Sequence, residues 1–290
     1  MRVLLTGAQG QVGCALTRSA PAGTQLLALS RLELDIVDED SIARVLEQFR
    51  PDVVINTAAY TAVDSAEAQP DLAASANVDG PALLAKAIAR TPGRMVHLST
   101  DFVFDGAESR PYAPDASPNP RNVYGKTKLA GERAVLDALP ERSTVLRTSW
   151  VYGATGRNFL LTMLRLMREK GVVRVVDDQV GSPTSTASLT RAIWRVASDA
   201  QLRGIHHWTD AGIASWYDFA MAIATRGFAL GLLSSAPEVI PISTADFPYA
   251  AARPAFSVLD KRATAKALGI QPVHWQRALA DIMTELAGSA

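Results

Sequence analysis

The chain has 290 residues, 48% of them hydrophobic, which is enough apolar side chain for one large domain or two modest ones. Its 29 basic and 29 acidic residues cancel, so the composition argues against a partner such as nucleic acid or an anionic membrane. The single cysteine, Cys14, excludes an internal disulfide framework, and no apolar run approaches the ~18 residues of a membrane span, so we expect a cytoplasmic protein.

The predicted elements begin with a short apolar strand, Arg2–Thr6, followed by the glycine-rich turn Gly7-Ala-Gln-Gly10-Gln-Val-Gly13 and an apolar helix, Cys14–Ser19. Glycines allow a tight turn and a close approach of the backbone to a ligand, and the first amides of a helix point at a bound phosphate. The glycine spacing is GxxGxxG and not GxGxxG. Between a strand and a helix, this turn predicts dinucleotide binding by Gly7, Gly10, Gln11, Val12 and Gly13.

Strands and helices then alternate regularly. In chain order the predicted elements are Gln25–Ser30, Ser41–Phe49, Asp52–Thr57, Leu72–Arg90, Met95–Ser99, Tyr124–Ala138 and Ser143–Arg147. The strands are continuously apolar, which is typical of strands buried on both faces. This rhythm predicts an α/β fold with a Rossmann-like, doubly wound parallel sheet whose ligands bind at the carboxyl ends of the strands.

The second half of the chain is less regular. We expect a helix over Phe159–Lys170, a strand over Val172–Val176, a loop over Asp177–Thr184, a helix over Leu189–Ala197 and then a tail rich in Pro, Ala and Trp. Residues 1–150 are therefore expected to form a dinucleotide-binding domain. Residues 151–290 should form mainly a smaller substrate-binding region, some segments of which return to the first domain.

The segment Tyr124-Gly-Lys-Thr-Lys128 places a phenol and an ammonium four residues apart. Because four residues make just over one helical turn, both groups project from one face of the predicted helix. An unperturbed phenol has a pKa of about 10, and a neighbouring ammonium favours the phenolate, so we expect a lowered pKa for Tyr124. Downstream of a dinucleotide-binding turn, the pair predicts nicotinamide chemistry with Tyr124 as the proton donor.

Several longer segments carry a more specific signal, and together they span nearly the whole chain. They resemble, in order, motifs of the dTDP-4-dehydrorhamnose reductase family, within the extended short-chain dehydrogenase/reductase superfamily. The segments are Leu4–Gly13, Asn56–Asp64, Ser99–Gly106, Asn122–Glu132, Arg147–Tyr152, Asp178–Thr184, Ser215–Tyr217 and Arg253–Asp260. The resemblance implies NADPH-dependent reduction of the 4-keto group of dTDP-4-dehydro-6-deoxy-L-mannose. The product would be dTDP-L-rhamnose, for cell-surface polysaccharide synthesis.

The resemblance also implies roles for individual residues. Tyr124 would protonate the substrate's carbonyl oxygen, Lys128 would support that transfer and bind the nicotinamide ribose, and Thr100 would hydrogen-bond the same oxygen or merely cap the end of its strand. On the substrate side, Asp101 would bind sugar hydroxyls, Trp150 would lie against the deoxysugar ring, and Arg253 would bind the diphosphate. The nucleotide side would be lined by Asn158, Phe159, Gln179, Gly181 and Thr184.

The end of the second predicted strand bears on the choice of cofactor. Ser30-Arg31 stands where an acidic residue would bind both ribose hydroxyls and repel a 2′-phosphate. A hydroxyl and a guanidinium accept that phosphate, so NADPH is favoured, with NADH possible. Asp35 and Ile36 are expected to flank the adenine, and by family position Ala58, Ala59, Tyr60 and Thr61 line the cofactor, although Tyr60 fits packing equally well.

No metal is expected. His97, His206, His207 and His274 lack the spacing of metal ligands. Some members of the resembled family dimerise through acidic residues that hold magnesium, but Ala15 and Ala187 stand at those positions here. We therefore expect a monomer or a weak homodimer without a metal bridge, with no nucleic acid or membrane partner.

Two other functions share these motifs. A nucleotide-sugar dehydratase or epimerase has the same fold and cofactor, but the dehydratases use an acid pair after the catalytic threonine, and here Thr100-Asp101 is followed by Phe102. A non-catalytic, NADP-binding regulatory subunit also resembles these reductases. Turnover of a sugar substrate distinguishes the reductase from the regulatory subunit.

Overall fold

A computed structural model describes residues 1–288 of the chain. The first half folds, in chain order, into β1 Arg2–Thr6, α1 Gln11–Arg18, β2 Gln25–Leu29, α2 Glu39–Phe49, β3 Val53–Asn56, α3 Val63–Ala68, α4 Pro70–Ala74, a π-helical turn Ser75–Asp79, α5 Gly80–Ala89, β4 Arg94–Thr100, a 3₁₀ turn Asp101–Val103, α6 Val123–Ala138 and β5 Ser143–Thr148.

The second half contains more elements than its sequence pattern predicts. They are β6 Val151–Tyr152, α7 Phe159–Lys170, β7 Val172–Val176, β8 Val180–Gly181, β9 Thr184–Ser185, α8 Thr186–Ser198, β10 Gly204–His207, β11 Ala214–Ser215, α9 Trp216–Ala229, β12 Glu238–Ile242, a 3₁₀ turn Thr244–Asp246, α10 Arg262–Leu268 and α11 Trp275–Gly288.

The centre of the fold is a six-stranded sheet with the order β10-β5-β4-β3-β1-β2. Every neighbouring pair in it is parallel. Strands β3 and β5 are buried along their whole length, because helices cover both faces of the sheet. The predicted α/β, Rossmann-like, doubly wound fold is confirmed. The chain reverses its winding between β1 and β3, which is where such sheets open a crevice for ligands.

The sixth strand of this sheet comes from the second half of the chain. Strand β10 pairs with β5, with Gly204 opposite Thr144 and His207 opposite Arg147. Its sequence, Gly-Ile-His-His, carries no strand signal. The His207 imidazole is nevertheless fully buried. Its burial is tolerated because both ring nitrogens have partners: Nδ1 lies 3.1 Å from the Tyr112 carbonyl oxygen, and Nε2 lies 3.5 Å from the Arg147 guanidinium.

The single helix predicted over Leu72–Arg90 is divided by the π-helical turn Ser75–Asp79. Pro81 in the first turn of α5 has no amide hydrogen to donate to the preceding turn, so a change of helical register is tolerated there. The turn carries the buried Asn77, whose side chain accepts the Tyr60 amide at 2.8 Å and donates to Thr127 at 3.1 Å. Through the Asn77 side chain, the π turn therefore links the segment after β3 to helix α6 by hydrogen bonds.

A second apolar core lies in the second half. Helices α7, α9 and α11 pack with strand β7 around buried aromatic side chains, among them Tyr152, Phe219 and Trp275. The tail rich in Pro, Ala and Trp, for which no elements were predicted, contains α9, β12, α10 and α11. Among residues 1–288, no helix combines the length and the apolar character needed to cross a bilayer.

Candidate active site

The turn between β1 and α1 depends on glycine. Gly7 has a φ of +73°, in the left-handed region that glycine adopts freely. A Cβ at Gly7 would lie 2.7 Å from the Ala58 amide nitrogen, and one at Gly13 would lie 2.2 Å from the Gly7 carbonyl oxygen. Helix α1 begins after Gly10 without a side-chain cap, which leaves its first amides available to a phosphate.

A cavity of about 330 Å³ lies beside this turn, and we call it the β2-side cavity. Its lining includes many of the residues predicted to bind the cofactor: Gly7, Gly10, Arg31, Asp35, Ile36, Ala58, Ala59 and Tyr60. Leu72 and Ala76 also line this cavity. The cavity therefore collects residues from the ends of β1, β2 and β3.

Ser30 and Arg31 differ in their availability to a ligand. The buried Ser30 donates its hydroxyl and its amide to one oxygen of Glu33, at 2.7 and 2.8 Å. The Arg31 side chain is 82% exposed, and its Nε lies 3.5 Å from an Asp35 carboxylate oxygen. The guanidinium is therefore the more available of the two donors at the end of β2.

A larger cavity of about 710 Å³ crosses the carboxyl ends of β4 and β5, and we call it the central cavity. It brings together predicted residues that are far apart in the chain: Gly10, Gln11, Val12, Gly13, Ala59, Thr61, Thr100, Asp101, Tyr124, Lys128, Trp150 and Arg253. The glycine turn forms one side of it and the start of α6 another. Cofactor-side and substrate-side candidates thus share one space.

Thr100 and Asp101 lie where β4 ends. The Thr100 hydroxyl donates to the Asp101 carboxylate at 3.1 Å and accepts the Phe102 amide at 3.2 Å, so it caps the following turn as well as lining the cavity. Burial raises the pKa of Asp101 to about 6, although hydrogen bonds from Ser257 and Thr100 oppose the shift. The buried Asp101 carboxyl is therefore a weaker acid than an exposed aspartate, and it lines the central cavity.

Tyr124 lies in the first turn of α6, which Asn122 caps by accepting the Gly125 amide at 2.7 Å. The phenol ring makes an edge-to-face contact with Phe102, with 5.6 Å between the ring centroids. Burial raises the pKa of Tyr124 to about 12, partly offset by a hydrogen bond with Thr100. The predicted lowering of this pKa is wrong, because desolvation of the phenolate outweighs its stabilisation. The phenol is protonated at neutral pH, as a proton donor must be.

Lys128 lies one turn further along α6 and lines the same cavity. Its buried Nζ donates to the Leu98 carbonyl oxygen at 2.7 Å. Burial lowers the pKa of Lys128 to about 8, and the charge of Glu132, one more turn along the helix, opposes that shift. Glu132 is itself buried and pairs with Arg147 through two bonds, at 2.9 and 2.7 Å. Helix α6 therefore presents the phenol and the ammonium to one site.

Two stacked tryptophan rings line one part of the central cavity. The Trp150 and Trp216 rings stack face to face, with centroids 3.5 Å apart and planes within 5°. Trp150 has a φ of +48°, and a Cβ at Gly181 would lie 2.6 Å from its ring. Phe159 packs against Trp216, with 4.6 Å between the centroids. Glycine at position 181 is thus required for the indole of Trp150 to occupy its position.

Trp216 lines both the central cavity and a third cavity of about 650 Å³, which we call the outer cavity. The outer cavity is lined mainly by apolar side chains of α7 and β7, with Phe159 on one side and the paired rings of Phe247 and Tyr249 on another. Lys170, Arg174 and Arg253 supply positive charge. An aromatic, positively charged cavity of this kind suits a nucleotide.

Arg253 lines both the central and the outer cavity. Its guanidinium is paired with Asp64 of α3 through two bonds, at 2.9 and 2.7 Å. The Tyr249 ring lies beneath it, with 3.6 Å from Cζ to the ring centroid. The predicted diphosphate ligand is therefore a held side chain and not a freely moving surface charge.

Four other predicted substrate residues lie outside the linings of these cavities. Asn158 caps α7 by accepting the Leu161 amide at 3.1 Å, and the buried Gln179 donates to Thr244 at 3.0 Å. Thr184 donates to the Ser182 carbonyl oxygen at 3.3 Å. Gly181 faces the ring of Trp150 and likewise lies outside these linings.

The structure adds residues that the sequence argument did not assign to the site. Trp216 lies in the family-like segment Ser215–Tyr217, but residue spacing does not predict its stacking on Trp150. Asp64 is the last residue of the family-like segment Asn56–Asp64, and spacing does not predict its pairing with Arg253 either. Residues 1–288 contain no group of three or more His, Cys, Asp or Glu side chains arranged to hold a metal ion.

A parallel sheet with a glycine turn at its switch point, and a tyrosine–lysine pair beside that turn, defines a nucleotide-binding fold of the short-chain dehydrogenase/reductase class. Comparison with known proteins narrows this class. The family model described as the RmlD substrate binding domain matches residues 1–287. The chain belongs to this family.

Individual relatives agree with that assignment. A dTDP-4-dehydrorhamnose reductase of Aggregatibacter actinomycetemcomitans is 42% identical over 288 residues, covering 97% of this chain and 98% of the relative. The spore coat polysaccharide biosynthesis protein SpsK of Bacillus subtilis is 40% identical, covering 98% and 97%. A crystal structure of dTDP-4-dehydrorhamnose reductase from Bacillus anthracis in complex with NADP is 35% identical, with a TM-score of 0.92 and coverage of 98% and 99%.

Proposed function

We propose that this protein is an NADPH-dependent reductase that converts dTDP-4-dehydro-6-deoxy-L-mannose to dTDP-L-rhamnose. The observation that carries the proposal is the central cavity, where the glycine turn, Thr100, Tyr124 and Lys128 meet. The relatives named as dTDP-4-dehydrorhamnose reductases and the NADP complex of a structural neighbour support the choice of substrate and cofactor.

The residues present suit a dinucleotide. Free amides at the start of α1 would bind the pyrophosphate, and the β2-side cavity would hold the adenosine, with Arg31 beside the 2′-phosphate. Thr61 and Ala59 would lie along the central part, and Lys128 would bind the nicotinamide ribose. When bound, NADPH supplies the hydride that reduces the sugar's carbonyl carbon.

The protein's own part in the reaction is orientation and proton supply. Thr100 and Tyr124 would hydrogen-bond the carbonyl oxygen, and the protonated phenol would give up its proton as negative charge develops there. The Lys128 ammonium would stabilise the phenolate left behind. Asp101 would accept hydrogen bonds from sugar hydroxyls. No second acid follows Asp101, since Phe102 comes next and its ring packs on Tyr124, which does not favour a dehydratase.

The substrate would extend from the central into the outer cavity. Its deoxysugar would contact the Trp150–Trp216 wall, its diphosphate would meet Arg253, and its base would lie near Phe159 in the outer cavity. Asn158, Gln179, Gly181 and Thr184 would act by supporting these walls. In this division of labour, residues 1–150 mainly bind the cofactor and residues 151–290 mainly bind the substrate, with β10 completing the central sheet.

We also propose a biosynthetic role, a cellular location and an oligomeric state. The product would serve cell-surface polysaccharide synthesis, and the Bacillus subtilis relative is named as a spore coat polysaccharide biosynthesis protein. The reductase would act in the cytoplasm, as a monomer or a weak homodimer without a metal bridge.

The test is a substrate panel. Purified protein with NADPH is mixed with dTDP- and UDP-linked 4-keto-6-deoxy sugars of several configurations, and loss of nicotinamide absorbance is followed. We expect the highest kcat/KM with dTDP-4-dehydro-6-deoxy-L-mannose. No oxidation with any sugar, despite NADPH binding, would favour a regulatory subunit. Equal rates with the UDP-linked sugars would contradict the proposed selectivity for the thymidine nucleotide.

A further inference from the structure

We propose that Asp64 is a positioning residue that holds Arg253 ready for the diphosphate of the substrate. This inference rests on the proposed function, because it concerns the same nucleotide-sugar. Asp64 lies on α3, in the half of the chain that carries the glycine turn, whereas Arg253 lies 189 residues further along. Their contact therefore bridges the two halves beside the active site.

Both carboxylate oxygens of Asp64 accept hydrogen bonds, four in all. Its Oδ1 accepts Arg253 Nη1 at 2.9 Å and the amides of Ala250 and Ala251 at 3.1 Å each, and its Oδ2 accepts Arg253 Nη2 at 2.7 Å. The guanidinium is the main cause of the lowered pKa of Asp64. One carboxylate thus orients both the guanidinium and the backbone that leads to it.

The geometry leaves two of the five guanidinium N–H groups unused. Asp64 takes the end-on pair of donors, one hydrogen from each Nη, and Arg253 Nη1 also donates to the Ala251 carbonyl oxygen at 3.2 Å. The side-on pair, Nε–H and the outer Nη2–H, has no hydrogen-bond partner within residues 1–288. Two parallel N–H donors match two oxygens of a phosphate, so the ion pair and a diphosphate can be held together.

Two further contacts fix the same side chain and loop. The Tyr249 ring lies 3.6 Å from Arg253 Cζ and sets the plane of the guanidinium. Asn122, the cap of α6, donates to the Ala252 carbonyl oxygen at 2.7 Å. Because Asn122 begins the helix that carries Tyr124, the loop that presents Arg253 is tied to the helix that presents the proton donor.

The test separates positioning from general support. Asp64→Asn keeps an acceptor for the Ala250 and Ala251 amides but removes the charge that fixes Arg253. We expect KM for the nucleotide-sugar, and Kd for dTDP by titration calorimetry, to rise about tenfold, because a freed arginine must be ordered when the ligand binds. We expect kcat to stay within about threefold and Kd for NADPH to be unchanged. Asp64→Glu, with its longer stem, should give intermediate values.

A double-mutant cycle tests whether Asp64 acts through Arg253. In an Arg253→Gln background, Asp64→Asn should add no further loss of dTDP affinity. Glu169→Gln is the control, since it breaks an exposed ion pair with Arg165 and should change none of these values. Full additivity in the cycle, or a KM that is unchanged or lowered in Asp64→Asn, overturns the proposal. So does a parallel loss of NADPH affinity, which would make Asp64 a general structural residue.

These outcomes are distinct from failure of the proposed function. If the wild-type protein binds dTDP but reduces no sugar, the reaction is wrong, while the dTDP titrations still decide the role of Asp64. If the wild-type protein turns over and the Asp64 variants bind dTDP normally, only the role of Asp64 is wrong.

Discussion

Removal of the Tyr124 hydroxyl tests the central proton transfer. In Tyr124→Phe the ring keeps its edge-to-face contact with Phe102, at 5.6 Å between centroids, and its place in the first turn of α6. The lost groups are the proton donor and its hydrogen bond with Thr100. General acid catalysis typically contributes about 10²–10⁴-fold, so the barrier should rise by about 3–5 kcal/mol.

The assay is a single turnover with enzyme in excess, in which NADPH absorbance reports the chemical step and a separate fluorescence titration gives Kd for NADPH. We expect the rate to fall by at least about 100-fold with Kd nearly unchanged. Tyr112→Phe is the matched control, because that buried phenol bonds Asp105 at 2.9 Å away from the cavities described and should leave the rate unchanged. A Tyr124→Phe rate within about tenfold of the wild type would refute Tyr124 as the proton donor.

Four further predictions follow from the same geometry. Arg31→Ala should erase a preference for NADPH over NADH that we expect to be about 5- to 150-fold in kcat/KM, and equal use of both cofactors by the wild type would contradict a contact to the 2′-phosphate. Glu132→Gln should cost about 3–5 kcal/mol in urea unfolding, because it leaves the buried Arg147 guanidinium unpaired, whereas Glu169→Gln at an exposed pair should cost under about 1 kcal/mol; equal costs would contradict the argument. With the pKa of Lys128 lowered to about 8, the ammonium is lost as pH rises through that value, so kcat/KM should fall above pH 8, and a flat profile to pH 9.5 would contradict this. EDTA should change neither the molar mass by light scattering nor the reductase rate; loss of activity that magnesium restores would reveal a metal site.

The sequence predicted the fold of the first half of the chain well because its signals are local. Strand β1 matches its predicted range, and the glycine turn requires Gly7 and Gly13 for reasons of backbone space that any sequence carrying this turn must satisfy. The spacing of Tyr124 and Lys128 is likewise a property of one helix. Such features need no knowledge of distant contacts.

The features that the sequence did not predict depend on tertiary contacts. Strand β10 reads as a polar loop until Tyr112 and Arg147 provide partners for His207. The pKa of Tyr124 followed burial and not the spacing to Lys128, so its predicted direction was wrong. The pairing of Asp64 with Arg253 joins residues 189 positions apart, which no periodicity reveals.

Tracing the hydride is the most direct test of the proposed reaction. The enzyme is incubated with dTDP-4-dehydro-6-deoxy-L-mannose and, in separate reactions, NADPH carrying deuterium at either of the two C4 positions of the nicotinamide ring. Products are analysed by mass spectrometry and NMR. The account predicts dTDP-L-rhamnose with one deuterium at the sugar C4 from one of the two labelled cofactors. A product without deuterium from either cofactor, or with deuterium at another carbon, would contradict direct reduction of the 4-keto group in the central cavity.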